Sequence, residues 1–320
     1  MKNGKLFDVI IIGAGPIGIN CALEAKKKKL SYLVIEKGPL VNSLYNYPAN
    51  MQFFSTSEKL ELDNIPFISK DPKPSKQEAL EYYRRIAVSN GLNINLFEKV
   101  LSVDQIKNFK VTTDTCSYHA KNIIVSTGFY DLPNKMNVKG EELPKLTHYY
   151  NDPHLYAFQN VAVIGASNSA VDAALEIYRK GGHVTMIIRG DSIGDRVKYW
   201  VKPDIENRIK EGSIKAYYNS EVKEILEDNI VINHGGKIIK IENDFVVALT
   251  GYRPDFSFLK SIGVELVGEK QIPTYDDITM ETNVKGLFLA GVICGGLETH
   301  KWFIENSRVH ASQIMDTIAP

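Results

Sequence analysis

The 320-residue sequence is defined first by what it lacks. It has three cysteines, Cys21, Cys116 and Cys294, with no Cys-x-x-Cys among them. That excludes a disulfide-stapled scaffold and a redox centre built on a neighbouring dithiol. It carries no net charge, Lys+Arg and Asp+Glu both totalling 38, so the basic excess of a dedicated nucleic-acid binder is absent. No apolar run approaches the roughly 18 residues of a membrane span. The first residues lead straight into the apolar run Val9–Ile12 without a cleavage site, so neither a targeting segment nor a membrane partner is expected. No metal site is expected. A composition of 44% hydrophobic and 24% charged residues is that of a soluble globular protein. At about 150 residues per domain it predicts two domains, in the cytoplasm.

The strongest pattern is present twice. Val9–Ile12 is followed by Gly13-Ala14-Gly15-Pro16-Ile17-Gly18, a helix-like stretch from Ile19 to Lys29, and a second apolar run, Tyr32–Ile35, ending in Glu36. Val161–Ile164 is followed by Gly165-Ala166-Ser167-Asn168-Ser169-Ala170, a helix-like stretch from Val171 to Lys180, and Val184–Ile188, ending in Arg189. Strand, glycine turn, helix and strand repeated in one chain predict two dinucleotide-binding folds. The expected fold class is α/β, with two Rossmann-like domains. Thr127-Gly128-Phe129 and Thr250-Gly251-Tyr252 look like paired crossings between them. They make the first domain discontinuous, residues 1–131 and 250–320, around a second domain at 132–249. The last helix is expected from about Trp302 to Ile318. The run Lys26–Lys29 reads as a solvated helix end, where cations oppose the macrodipole.

The two strand ends carry the chemistry. Glycines let a pyrophosphate approach the backbone, and the helix N-terminus offers free N–H groups. Glu36, 23 residues after Gly13, can accept hydrogen bonds from ribose hydroxyls and would repel a 2′-phosphate, which suits FAD or NAD. The alternative is a tight turn with no ligand. Arg189, 24 residues after Gly165, stands in the corresponding place, where a guanidinium can fork onto a 2′-phosphate. Arg196 and Lys198 follow and can complete a phosphate pocket with Gly165, Ser167, Asn168, Ser169 and Ala170. The alternative is a surface arginine on a structural domain. These residues predict FAD in the first domain, NADPH in the second, and a hydride path between them.

Two nucleotide folds with a flavin resemble the low-molecular-weight thioredoxin reductases over the whole chain. Those enzymes carry a Cys-x-x-Cys shortly before the second glycine motif; here the segment is Thr147–His154, without cysteine. The sequence is more similar to the YpdA-like bacillithiol disulfide reductase family. The similarity runs through Val34–Gly38, Val41–Pro48, Phe53–Leu60, Asn168–Glu176, Asn243–Val246, Ala290–Ile293 and Phe303–Asn306. It implies FAD, NADPH and reduction of a low-molecular-weight disulfide by a homo-oligomer. It also extends the flavin site from Gly13, Gly15, Pro16, Ile17, Gly18 and Glu36 to Lys37, Ser43, Phe54, Ser55, Val100, Thr127, Gly128, Gly291 and Val292. The chain departs from the family at Ile17, where many members carry a cysteine suggested as the redox thiol.

Candidate catalytic residues are therefore few. Cys294, past the Ala-Gly-Val turn, is either a substitute thiol or a packing residue. His300 and Lys301 can stabilise negative charge on a reduced flavin or be exposed loop residues. Cys21 is expected in the core. Phe53, Phe54 and Trp302 can wall the flavin, and Tyr199-Trp200 can pack on the second nucleotide. Rival functions on the same fold are a ferredoxin- or flavodoxin-NADP reductase, a flavin monooxygenase, and a slow redox-sensing flavoprotein.

Overall fold

Val9, Ile10 and Ile11 are wholly buried because their strand runs through the middle of a parallel sheet, where both faces are covered. The computed structural model describes residues 5–320. One compact unit is built from Met1–Asn46, Met51–Leu132 and Tyr252–Pro320, the other from Tyr47–Asn50 and Pro133–Gly251.

The first unit opens with β1 (Leu6–Ile12), α1 (Pro16–Lys27), β2 (Tyr32–Ile35) and α2 (Lys76–Ser89). The strands β3 (Ile94–Asn95), β4 (Val100–Gln105), β5 (Phe109–Thr113) and β6 (Ser117–Val125) follow. Their order in the sheet is β3-β2-β1-β6-β5-β4. β1 pairs in parallel with β2 on one side and β6 on the other; β4 and β5 add an antiparallel meander. The direction of winding thus reverses between β1 and β6. Such a switch leaves a crevice beyond the C-terminal strand ends, where the first glycine motif lies.

The second unit repeats the plan with β7 (Leu146–Thr147), β8 (Asn160–Ile164), α3 (Asn168–Arg179), β9 (His183–Ile187), α4 (Lys202–Lys210) and β10 (Lys215–Tyr217). An antiparallel sheet of β11 (Ser220–Ile225), β12 (Asn229–His234) and β13 (Lys237–Glu242) precedes β14 (Phe245–Ala248). The parallel sheet runs β10-β9-β8-β14-β7, with its switch between β8 and β14. The chain then returns to the first unit with β15 (Leu287–Leu289), parallel to β6, and the helices α5 (Ile304–Ser307) and α6 (Val309–Ile318).

Three boundaries differ from the expected ones. α1 and α3 begin inside the glycine motifs, at Pro16 and Asn168, because Gly15 and Ser167 serve as extended N-caps. The last helix begins at Ile304, not Trp302, since Phe303 is extended and its N–H donates to Asn306 Oδ1 at 2.6 Å. It is also divided at Arg308. At the end of α1, Lys27 pairs with Glu24 and Asp63, and Lys28 with Asp316, so this cationic end is solvated and locally neutralised.

α2 carries a complete capping box: Ser75 Oγ accepts the Glu78 N–H, and Glu78 Oε2 accepts the Ser75 N–H at 2.8 Å. Two otherwise orphaned donors are satisfied there. Ser75→Ala is expected to lower stability by about 1 kcal/mol, read as a lower urea midpoint with catalytic constants unchanged.

Candidate functional site

The first glycine turn is closed on two sides and open on the third. Gly13 has φ +103°, and a Cβ there would lie 2.7 Å from Ser126 O. At Gly18 a Cβ would fall 1.9 Å from Gly13 O, inside the turn. Ser126 Oγ donates to Ile12 O at 3.1 Å and Gly13 O at 3.0 Å, tying the end of β1 to the end of β6. A Cβ at Gly15, in contrast, would meet no atom within 4 Å. Gly15 caps α1 without a side chain, and Pro16 fills a position whose N–H would be unused. The result is an open cradle at an uncapped helix end, which fits a pyrophosphate.

Glu36 closes one side of the cradle. Its carboxylate accepts the N–H groups of Ala14 at 2.8 Å and Gly38 at 3.0 Å. Burial raises its pKa despite those donors. The neighbouring Lys37 pairs with Asp131 at 2.6 Å, which also holds it near the β6 side of the turn. Ser43 lies on a one-turn helix, Asn42–Tyr45, anchored by Val41 N–H on Ala14 O. Val100 begins β4, two residues past Glu98, whose N–H donates to Glu36 O. Gly128 takes φ +73° just beyond β6, next to Thr127.

The C-terminal segment supplies the other wall. Gly291, at φ +88°, packs on Ile17: a Cβ there would lie 3.3 Å from Ile17 Cγ1. Ser55 Oγ donates to Glu305 Oε2 at 2.5 Å, joining the Phe53–Leu60 segment to α5. Phe53 is buried, whereas Phe54 is 58% exposed, so the two aromatics do not form one wall. His300 and Lys301 are exposed, and Lys301 Nζ stands 5.4 Å from the Trp302 ring centre.

Cys294 is not placed as an exchangeable thiol. It is fully buried, and burial pushes its thiol far above the usual range, so no thiolate is held there. Its Sγ lies 3.9 Å from Nδ1 of His310, a buried residue that sequence reasoning passed over. Cys21 is likewise in the core, its pKa raised to about 12 by burial. Cys116 is exposed, its thiol 3.5 Å from the Glu98 carboxylate.

His310 Nδ1 accepts the Gly291 N–H at 3.1 Å, so the imidazole is neutral with its proton on Nε2. Trp302 meets the ring edge-on at 4.6 Å. Burial lowers the pKa from 6.5 to about 4, against a smaller raising effect of Asp277. Between those two values the unfolded chain binds a proton that the folded one excludes. Stability therefore falls as pH drops through this window, by about 1.4 kcal/mol per pH unit. Urea denaturation should show this slope in the wild type and its loss in His310→Asn.

The second glycine turn has the same logic with different residues. Gly165 has φ +128°, and a Cβ would lie 2.6 Å from Leu249 O and 3.1 Å from Ala170 Cβ. The Ala170 methyl thus helps to require glycine at 165. Ser167 caps α3 without a side-chain bond, leaving the first turn, with Ser169, uncapped. Asn168 is a clamp: its Nδ2 donates to Arg196 O at 3.0 Å, and its Oδ1 accepts the Lys198 N–H at 2.8 Å.

The three cations separate. Arg189 and Arg196 are exposed, and neither guanidinium has a hydrogen-bond or ion-pair partner among the described residues. Lys198 does not join them: its Nζ pairs with Asp172 of α3 at 2.8 Å and is mostly buried. Its charge is spent on fastening the loop that presents Arg196. Tyr199 is 78% exposed and meets Trp200 edge-on at 4.9 Å. In the segment Thr147–His154, His148 bonds Glu141 and Ala248 O, and no thiol chemistry is available.

Two glycine-turn cradles, one ending in an acid and one in arginines, fit the class of oxidoreductase that uses a flavin and a pyridine nucleotide, and the relatives below belong to that class. Residues 10–291 match the pyridine nucleotide-disulphide oxidoreductase family. The chain is 44% identical to the bacilliredoxin reductase Bdr of Bacillus subtilis over 97% of both chains. It superposes on the bacillithiol disulfide reductase Bdr (YpdA) of Bacillus cereus with a TM-score of 0.96 at 43% identity, over 98% of this chain and 99% of that one. For the Staphylococcus aureus protein of the same name the values are 0.95 and 38%, over 98% of each chain. A ferredoxin–NADP reductase of Ignicoccus hospitalis is 27% identical over 89% of this chain and 90% of its own. The chain belongs to the pyridine nucleotide-disulphide oxidoreductase family, in its Bdr (YpdA) branch. Among the described residues no helix is long and apolar enough to cross a membrane.

Proposed function

We propose that this protein is an FAD-dependent NADPH oxidoreductase that reduces a low-molecular-weight disulfide of the bacillithiol disulfide type. FAD is assigned to the domain of residues 1–131 and 250–320, and NADPH to residues 132–249. The observation that carries the assignment is the contrast between a buried Glu36 and an exposed, unpaired Arg189 at corresponding strand ends. A carboxylate favours ribose hydroxyls, and a guanidinium favours the 2′-phosphate that distinguishes NADPH. The disulfide substrate follows the names of the Bacillus cereus and Staphylococcus aureus structures above.

Each residue has a defined share in this reading. Gly15 leaves the backbone open to a pyrophosphate, and Gly13, Pro16, Ile17 and Gly18 hold the turn in that shape. Glu36 turns part of its carboxylate to ribose. Lys37, Ser43, Phe54, Ser55, Val100, Thr127, Gly128, Gly291 and Val292 complete the flavin contacts. In the second domain, Gly165, Ser167, Ser169 and Ala170 shape the phosphate turn, Arg189 and Arg196 take the 2′-phosphate, and Asn168 with Lys198 fixes the Arg196 loop. FAD, when bound, supplies the two-electron carrier between nicotinamide and disulfide. One NADPH and one proton convert one disulfide into two thiols and NADP⁺.

No cysteine of the chain has a part in the transfer. Cys21 and Cys294 are sealed in the core and Cys116 stands alone at the surface. A C21A/C116S/C294A variant should keep disulfide reduction within about threefold of wild type, allowing for core repacking. The reading is that of a cytoplasmic homo-oligomer, checked by sedimentation, with no nucleic-acid partner. Its test is steady-state NADPH oxidation with bacillithiol disulfide, counting thiols. Two thiols per NADPH support it; oxidation of NADPH without thiol release contradicts it.

A further inference from the structure

We propose that His310 is a positioning residue for the turn Gly291–Gly295, its bare Nδ1 fixing the Gly291 N–H. The inference rests on the assignment of a flavin to this unit. The sheet controls the backbone up to Ala290, whose N–H donates to Val125 O at 3.0 Å. At Gly291 the chain leaves the sheet with φ +88°, a conformation that L side chains rarely adopt. The next N–H, that of Gly291, goes to His310 at 3.1 Å. The opposite flank of Gly291 rests on Ile17. Gly291 is therefore held from two sides, by the first glycine motif and by α6. Val292 has no polar side-chain atom, so the polar contacts this turn can make come from its backbone, whose direction is set at Gly291.

The ring of His310 is itself fixed. Trp302 packs edge-on against it at 4.6 Å, and Cys294 Sγ lies 3.9 Å from Nδ1. A purely apolar side chain would fill this space and leave the Gly291 N–H buried without an acceptor. Asn places an acceptor oxygen the same number of bonds from the backbone as Nδ1, while Phe keeps the ring shape and no acceptor. The two variants separate positioning from packing.

The experiment measures the flavin-to-protein ratio after gel filtration and the rate of flavin release, by its fluorescence, for wild type, His310→Asn and His310→Phe. Circular dichroism checks that each is folded. An unpaired buried donor should speed release by about tenfold or more in His310→Phe, with His310→Asn close to wild type. A flavin-loaded wild type beside a His310→Phe that releases no faster than His310→Asn would overturn the inference alone. A wild type that purifies without flavin and takes up no added FAD would overturn the flavin assignment and this inference with it. A measurement on the wild-type holoenzyme needs no variant: ¹⁵N spectra of histidine-labelled protein. They should show one imidazole that does not titrate near neutral pH, with an unprotonated Nδ1; a protonated Nδ1 on that ring would overturn the inference.

Discussion

Gly18→Ala should yield a protein that purifies without flavin and has no NADPH oxidation above background. The added Cβ would sit 1.9 Å from Gly13 O and 2.8 Å from Ser126 Oγ. Neither contact can be relieved by a side-chain rotation alone, because Ser126 Oγ is bonded to Gly13 O and Ile12 O. The turn must open or α1 must move off β1. Overpacking of this kind costs about 1–3 kcal/mol or more, enough to reduce flavin affinity by about tenfold to a hundredfold through distortion of the cradle alone. Gly15→Ala separates stability from binding. Its methyl meets nothing within 4 Å, and Gly15 has φ −70°, which alanine accepts. The apoprotein should keep its melting temperature and still lose flavin, since the methyl enters the space assigned to the pyrophosphate. Flavin absorbance of the purified variants and their thermal unfolding check both outcomes.

The second large effect is expected at Arg189. Arg189→Ala should raise the KM for NADPH by about 10- to 100-fold, the worth of one charge-assisted bond to phosphate. The KM for NADH should hardly change, and kcat at saturating NADPH should stay near wild type, because the 2′-phosphate is remote from the hydride. Arg189 has no competing partner to release, so its whole charge is available to the ligand. Lys198→Ala should act differently. Asp172 would lose its partner and the Arg196 loop its side-chain fastening to α3, leaving only the Asn168 clamp, so stability should fall together with NADPH affinity. Steady-state kinetics with both nucleotides, beside thermal unfolding, distinguish a ligand contact from a loop fastener.

The parts of this molecule that could be read from sequence are those whose signal is local. Each glycine motif lies within some 30 residues of its flanking strands and of its own strand-end residue, Glu36 or Arg189, and periodicity locates them. What remained hidden depends on distant partners. Lys198 reads as one more cation near a phosphate site; only its pairing with Asp172, across the loop, shows that its charge is already used. Cys294 reads as a thiol beside a cofactor turn, whereas in the fold it is fully buried against His310 of α6. His310 gave no signal, being one of five polar residues in the last helix with nothing local to set it apart, and its meaning lies in Gly291, 19 residues earlier. That helix starts at Ile304 because Phe303 is extended and its N–H is held by Asn306 Oδ1, a contact that the apolar pattern around Trp302 does not signal.

In the proposed reaction electrons pass from NADPH through the flavin to a small disulfide without a cysteine of this chain. The most direct measurement reduces the purified holoprotein anaerobically with one equivalent of NADPH, adds bacillithiol disulfide, and follows flavin absorbance while thiols are counted. Prompt return of the oxidised spectrum with two thiols released per flavin, in wild type and in the C21A/C116S/C294A variant alike, is the result expected. A flavin that stays reduced, or reoxidises only when its native cysteines are present, would contradict that route.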